Sequence, residues 1–201
     1  MSPVVQTREV REALLDATDR LLAERGYKKM TIDDLAREVG IGKGSVYLHF
    51  SSKEDIALSH IDRIVERVKR RLRAIAEKDI SPEEKLRAML LTRVLVRFDS
   101  VQHYTQSLND LLSSLRPKLL ARREVYFAEE AAIFAGVIAR GQAEGVFSEE
   151  LAAADAAGTF LLATNSLLPF SLTTGELGAR SDIEAKTARL ADLLIKGIKK
   201  V

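Results

Sequence analysis

Apolar residues recur at helical spacing along nearly the whole chain, and this periodicity limits the fold more than any other feature. Val10, Ala13, Leu14, Ala17 and Leu21 make one stripe; Ile61, Ile64, Val65, Val68, Leu72 and Ile75 make another. A helix brings residues three and four apart onto one face, whereas a strand alternates sides, so these stripes can be buried together only in helices. No segment alternates convincingly. The punctuation agrees. Ser51 with Glu54, Ser81 with Glu84 and Ser181 with Glu184 have the S-x-x-E spacing of a capping box, which satisfies two orphan amide donors at a helix start. Pro82 suits a first helical position. Gly26, Gly40 and Gly145 fall where helical stretches end, the place where a left-handed residue costs glycine least. The pattern predicts an all-α chain of about nine helices, over residues 7–25, 31–39, 43–50, 52–77, 82–98, 102–115, 117–144, 149–171 and 182–200.

Composition narrows the function. With 46% apolar and 30% charged residues in 201, the chain can bury one or two real cores. Thirty-one Lys and Arg against 29 Asp and Glu leave only +2, so attraction to nucleic acid must come from a local surface. The absence of cysteine removes thiol nucleophiles and thiolate zinc sites and suits a reducing cytosol. Arg8, Glu9 and Arg11 stand where a secretory signal needs an apolar run, so the expected location is cytoplasmic. From Ala152 to Leu172 the only formal charge is Asp155, a length that would span a bilayer. Its many Ala, Gly, Thr, Ser and Asn residues, with Pro169 near the end, favour a helix buried among helices, and no membrane partner is expected.

Function concentrates between Thr31 and Phe50, in TIDDLAREVGIGKGSVYLHF. Thr31 caps a helix whose inward face is Ile32, Leu35 and Ala36; Val39-Gly40-Ile41-Gly42 turns the chain, and a second helix follows with Val46 and Phe50 inward. Lys43, Gly44, Ser45, Tyr47, Leu48 and His49 are left for the outer surface. Lysine donates to guanine O6 and N7, Ser and Tyr suit phosphates, and Gly44 permits close backbone approach. These are the marks of a helix-turn-helix that enters a major groove. Gly40 through Ser45 follows a helix rather than a strand and fits neither phosphate-binding glycine pattern. A second basic cluster, Arg63, Arg67, Lys69, Arg70, Arg71 and Arg73, reads as a solvated face, with a second DNA contact as the alternative.

This stretch resembles the TetR family of one-component transcriptional regulators. Gly26-Tyr27, Thr31-Ile32, Leu35-Ala36, Val39-Gly40, Gly44-Ser45-Val46-Tyr47, His49-Phe50 and Ser52-Lys53-Glu54 fall at that family's spacing, and Ile138, Gly141, Gly145 and Phe147 are similar to the end of its seventh helix. The resemblance implies that Lys43 and Ser45 face bases, that Thr31, Tyr47, His49 and Lys53 face phosphates, and that Gly44 lies against the DNA backbone. It implies a DNA-binding domain over 1–51 and an effector-binding, dimerising helical bundle over 52–201, acting as a homodimeric repressor on a double-stranded operator and released by a small effector, which the few polar groups among the pocket candidates suggest is mostly apolar.

Polar residues that interrupt apolar stripes mark candidate effector contacts. Arg93 and Arg97 share a face with Leu86 and Leu90, either to meet an anionic effector or to pair with a nearby carboxylate. His103, Tyr104, Phe127, Phe134 and Asn165 are the further candidates for a largely apolar cleft. Ala154, Ala157 and Gly158 in an Ala-rich helix, with Leu190 and Leu194 in the last one, are expected to form the dimer contact or to pack within one chain. No cofactor is called for. A helical-bundle enzyme around His103 with Asp99 or Asp110 is the rival reading, but no nucleophile-base-orienter set or H-E-x-x-H spacing supports it. An adaptor that has lost DNA binding is the third, disfavoured by Lys43, Ser45, Tyr47 and Lys53.

Overall fold

The computed structural model describes residues 3–101, 108–168 and 174–200. Its helices are α1 (Pro3–Lys29), α2 (Ile32–Val39), α3 (Lys43–Tyr47), α4 (Lys53–Ala76), α5 (Pro82–Val101), α6 (Leu108–Ala143), α7 (Ala153–Asn165), α8 (Thr174–Leu177) and α9 (Arg180–Ile198). Among the described residues the only β-type pairing is one antiparallel bridge between Phe147 and Lys199, which ties the end of α6 to the end of α9. The fold is all-α, as the periodicity predicts.

The helix boundaries differ from the sequence reading in ways that packing explains. The helices predicted over 102–115 and 117–144 are joined without a break at residue 116, and Pro117 lies inside the 36-residue α6. A proline inside a helix costs about 3 kcal/mol, and here the helix is anchored on both sides of it: Leu115 is buried in one core and Phe134, Val137 and Ile138 in another. Helix α3 stops at Tyr47, α7 starts at Ala153, and the four-residue α8 carries no sequence signal. The Ser81–Glu84 capping box forms, with both reciprocal bonds. At α4 the cap shifts by one residue: Ser52 accepts from the Asp55 amide while the Asp55 carboxylate accepts from the Ser51 amide and hydroxyl. Helix α9 begins at Arg180, so Ser181 caps nothing, and Glu184 accepts from Arg180 instead.

Two large cores result. The N-terminal one gathers Leu14, Leu15, Leu21, Leu22, Leu35, Val46 and Phe50 from the first three helices, closed by Ile56, Ala57 and Leu58 of α4 and Leu115 of α6. The bundle core holds Val68, Leu72, Leu86, Met89, Leu90, Phe134, Phe147, Phe160 and Leu161. Helix α4 therefore begins in one core and ends in the other.

Two features of this packing generate predictions. Helix α6 ends in a reversal at Gly145, φ 75°, where Val146 N–H reaches back to the Gly141 carbonyl. That reversal lays the buried Phe147 ring against Gly141, where an added Cβ would stand 2.4 Å from the ring. Gly141→Ala is expected to force this ring aside and destabilise the fold by about 1–3 kcal/mol, despite alanine's better helix propensity. Urea unfolding with a lower midpoint and an unchanged slope is the expected readout.

The second feature is His60, buried on α4 with Nε2 3.4 Å from Asp19 of α1. It borders a cleft of about 100 Å³ lined also by Ala23, Ile64, Arg67, Asp99 and Ser100. Burial first, then the nearby Arg63 and Arg67, push its pKa down to about 4, against the opposing pull of Asp19 and Asp16. Above pH about 6.5 the imidazole is neutral in both folded and unfolded chains. As the pH falls from there toward 4 the unfolded chain takes the proton and the folded one does not, so stability is lost, up to about 3 kcal/mol. Unfolding free energies measured from pH 7 to pH 4 should show this loss in the native chain and a flatter profile in His60→Gln.

Candidate nucleic-acid interface

The turn between α2 and α3 is built by local chemistry. Thr31 Oγ1 accepts from the Asp34 amide at 3.1 Å, while the Asp34 carboxylate accepts from the Thr31 amide at 3.1 Å and hydroxyl at 2.6 Å. This is a capping box with Asp at the third position, so the expected helix start at Thr31 is present. Helix α2 ends at Gly40, φ 74°, in the left-handed region, and the Ile41 amide reaches back to the Ala36 carbonyl at 2.9 Å. Gly42 then caps α3 in an extended conformation.

Helix α3 buries Val46, with Phe50 buried just beyond it, and exposes Lys43, Gly44 and Tyr47; Ser45 and His49 are half-buried on its flank. A Cβ at Gly44 would meet nothing within 4 Å, so that side of the helix is open. Lys43 Nζ donates to Asp33 at 2.9 Å, an exposed pair of the kind that contributes little to stability. Lys53 is placed differently from a side chain aimed at solvent. Its ammonium lies 4.5 Å from the centre of the Tyr27 ring and donates to the Lys28 carbonyl at 3.3 Å, and partial burial lowers its pKa. Arg11 stacks over Phe50 at 4.8 Å. Arg11 thus ties the segment after α3 to α1, and Lys53 ties α4 to the end of α1.

Of the basic cluster on α4, Arg63 donates to Asp16 at 2.6 Å and Lys69 is buried between Glu66 and Glu129, so these members are structural rather than a solvated face.

In the bundle, Arg93, Arg97 and Asn165 come together around a carboxylate that the sequence reading missed. Buried Arg93 donates to Glu130 at 2.7 Å, Thr164 at 2.9 Å and Asn165 at 2.9 Å, and Arg97 donates to the other Glu130 oxygen at 2.5 Å. The pairing alternative is the arrangement observed. Nothing in the Glu129-Glu130 sequence marks the second residue as the buried one. Phe134 is enclosed in the bundle core, and half-buried Phe127 packs against that core. His103 and Tyr104 lie outside the described residues.

The self-association candidates divide. Ala157 is fully buried within its own chain, the expected alternative of packing within one chain. Ala154 is exposed, Gly158 and Leu190 are half-buried, and Leu194 leans on the bundle core. The sequence reading missed the two large apolar side chains that these helices do expose, Leu162 of α7 at 63% and Leu193 of α9 at 69%. Among the described residues no cluster of three His, Asp or Glu side chains is placed to hold a metal, and no helix is long and apolar enough to cross a membrane.

The family model for bacterial regulatory proteins of the tetR family matches residues 14–59, the segment that holds α2, α3 and their supports. An uncharacterised helix-turn-helix regulator of Lactococcus lactis is 36% identical over 88 residues, 43% of this chain and 45% of its own length. The repressor KstR2 of Mycobacterium tuberculosis is 26% identical over 153 residues, 73% of each chain. Among solved structures, a transcriptional regulator from Cytophaga hutchinsonii superposes with a TM-score of 0.78 at 21% identity, covering 94% of this chain and 98% of that one. FadR from Bacillus subtilis, solved with stearoyl-CoA, superposes at 0.70 with 20% identity, covering 93% and 98%. With the helix-turn-helix formed as its sequence predicts, residues 14–59 match the tetR family of bacterial regulatory proteins, and the chain is similar to transcriptional regulators of that family.

Proposed function

We propose that the protein is a repressor that binds a palindromic operator as a homodimer and is released by a small, mostly apolar effector. The observation that carries this reading is α3 itself: a helix held from behind by Val46 that presents Lys43, Gly44 and Tyr47 outward, at the size a major groove admits. Lys43 and Ser45 are assigned to bases, Thr31, Tyr47, His49 and Lys53 to phosphates, and Gly44 to close approach. Reading a base requires Lys43 to leave Asp33, which an exposed pair permits at small cost.

Ala154, Gly158 and Leu162 of α7, four residues apart, with Leu190 and Leu193 of α9, form the proposed contact between subunits. Stearoyl-CoA in FadR, which has the same fold, supports an apolar effector. An acidic effector head would have to compete with Glu130 for Arg93 and Arg97.

Selection from random DNA should enrich a palindrome whose half-sites lie about one helical turn apart or slightly more. Lys43→Ala should cost about 1–3 kcal/mol on that site and shift the preferred base. Loss of equal size on every sequence would remove the base-reading role, and no enrichment at all would overturn the repressor reading.

Assembly has its own test. Leu193 is mostly exposed in the single chain, so Leu193→Glu should leave the fold intact while placing a charge in the proposed contact. Sedimentation is expected to show dimers for the native chain and folded monomers for the variant, with operator affinity lost together with the dimer. A native chain that stays monomeric at high concentration would overturn the homodimer.

A further inference from the structure

Leu48 is 85% exposed, the most exposed large apolar side chain among the described residues. A single surface leucine is ordinary; its position makes it informative. At about 100° per residue, Gly44 and Leu48 fall on either side of the direction opposite Val46. Val46 is fully buried, and the Gly44 side is open. Lys43 and Tyr47 flank this direction on one side, Ser45 and His49 on the other. The centre of the outward face is therefore a glycine and a leucine, with the polar groups at its borders. Leu48 keeps right-handed helical angles, φ −71° and ψ −22°, which continue the geometry of α3.

We infer that Leu48 reads the 5-methyl group of a thymine in each operator half-site, with Gly44 letting the helix approach closely enough for contact. The inference rests on the DNA-binding reading above. The major groove is lined by hydrogen-bonding edges and offers one apolar group, the thymine methyl, which aliphatic side chains contact. Leucine has neither donor nor acceptor, so laid on any other base edge it would desolvate polar atoms without replacing their bonds. The cation on the flank, Lys43, brings the phosphate-lined groove to this face and makes duplex DNA its fitting occupant.

The test uses the full-length protein and its selected operator, with symmetry-related thymines replaced pairwise by deoxyuridine. The change removes only the methyl group and keeps pairing and the O4 acceptor. One position is expected at which the native protein loses about three- to fivefold affinity per methyl, hence about ten- to 25-fold for the symmetric pair. Leu48→Ala, with thermal unfolding unchanged, should bind the thymine and deoxyuridine operators equally. The inference is overturned if no deoxyuridine pair weakens native binding while Lys43→Ala still shifts base preference, an outcome that leaves the regulator standing. It is likewise overturned if Leu48→Ala keeps the full deoxyuridine penalty, or if it alters sedimentation of the free protein without changing that penalty, which would assign the face to a second copy. Selection that enriches no site would overturn both readings.

Discussion

The bundle is organised around one buried ion pair. Glu130 is fully buried, and its two oxygens accept from Arg93 and Arg97, while Arg93 also donates to Thr164 and Asn165. One guanidinium thus fixes α5 against α6 and α7 at once. Charges withdrawn from water cost several kcal/mol each, and they are tolerated only where every donor and acceptor is engaged. Burial first, and then the neighbouring Arg97, push the Arg93 pKa down to about 10, which leaves it charged at neutral pH. Apolar side chains could slide or rotate at modest cost, but a register shift here would leave a buried charge alone. The pair therefore specifies the arrangement of the bundle more than it adds to its stability.

Helix α6 carries that arrangement toward the DNA-binding end. Beyond Pro117 it holds Glu130; before it, Leu115 is buried with the first three helices. Between these points it is laced to α4: Lys118 pairs with Glu54, and Arg122 and Tyr126 both donate to Asp62. Lys69 of α4 donates back to Glu129, the neighbour of Glu130. The exposed pairs contribute little individually, whereas the burial of Leu115 and of Ile56, Ala57 and Leu58 makes α4 and α6 part of the N-terminal core. Packed side chains rather than a flexible joint connect α4 and α6 to the core that holds α3.

The helix-turn-helix was legible in the sequence because its determinants are local: the cap at Thr31, the left-handed Gly40 and the inward Val46 lie within a few residues of what they fix. Long-range partners were not. Glu130 looks no different from Glu129, and only tertiary placement decides which is buried. Pro117 carries a strong local instruction to break a helix, and two distant cores override it. Ser51 with Glu54 and Ser52 with Asp55 offer the same spacing, so the choice between them rests on where α4 meets the core. Ala157 and Leu162, five residues apart on one helix, lie about 140° apart around its axis, and the contacts of the bundle decide which of the two faces turns inward.

The distribution of strong and weak contacts around α3 has a functional logic. Behind the helix Val46 and Phe50 are buried and Arg11 covers the Phe50 ring. On the outward side Lys43 has only the exposed Asp33, and Gly44 and Leu48 have open surroundings. A side chain must lose its partner in the free protein before it can contact DNA, and that loss subtracts from affinity. Placing the firm cation–π and apolar contacts behind the helix, and only an exposed ion pair on its reading face, keeps that subtraction small. It also holds the helix rigid enough for base edges to be distinguished.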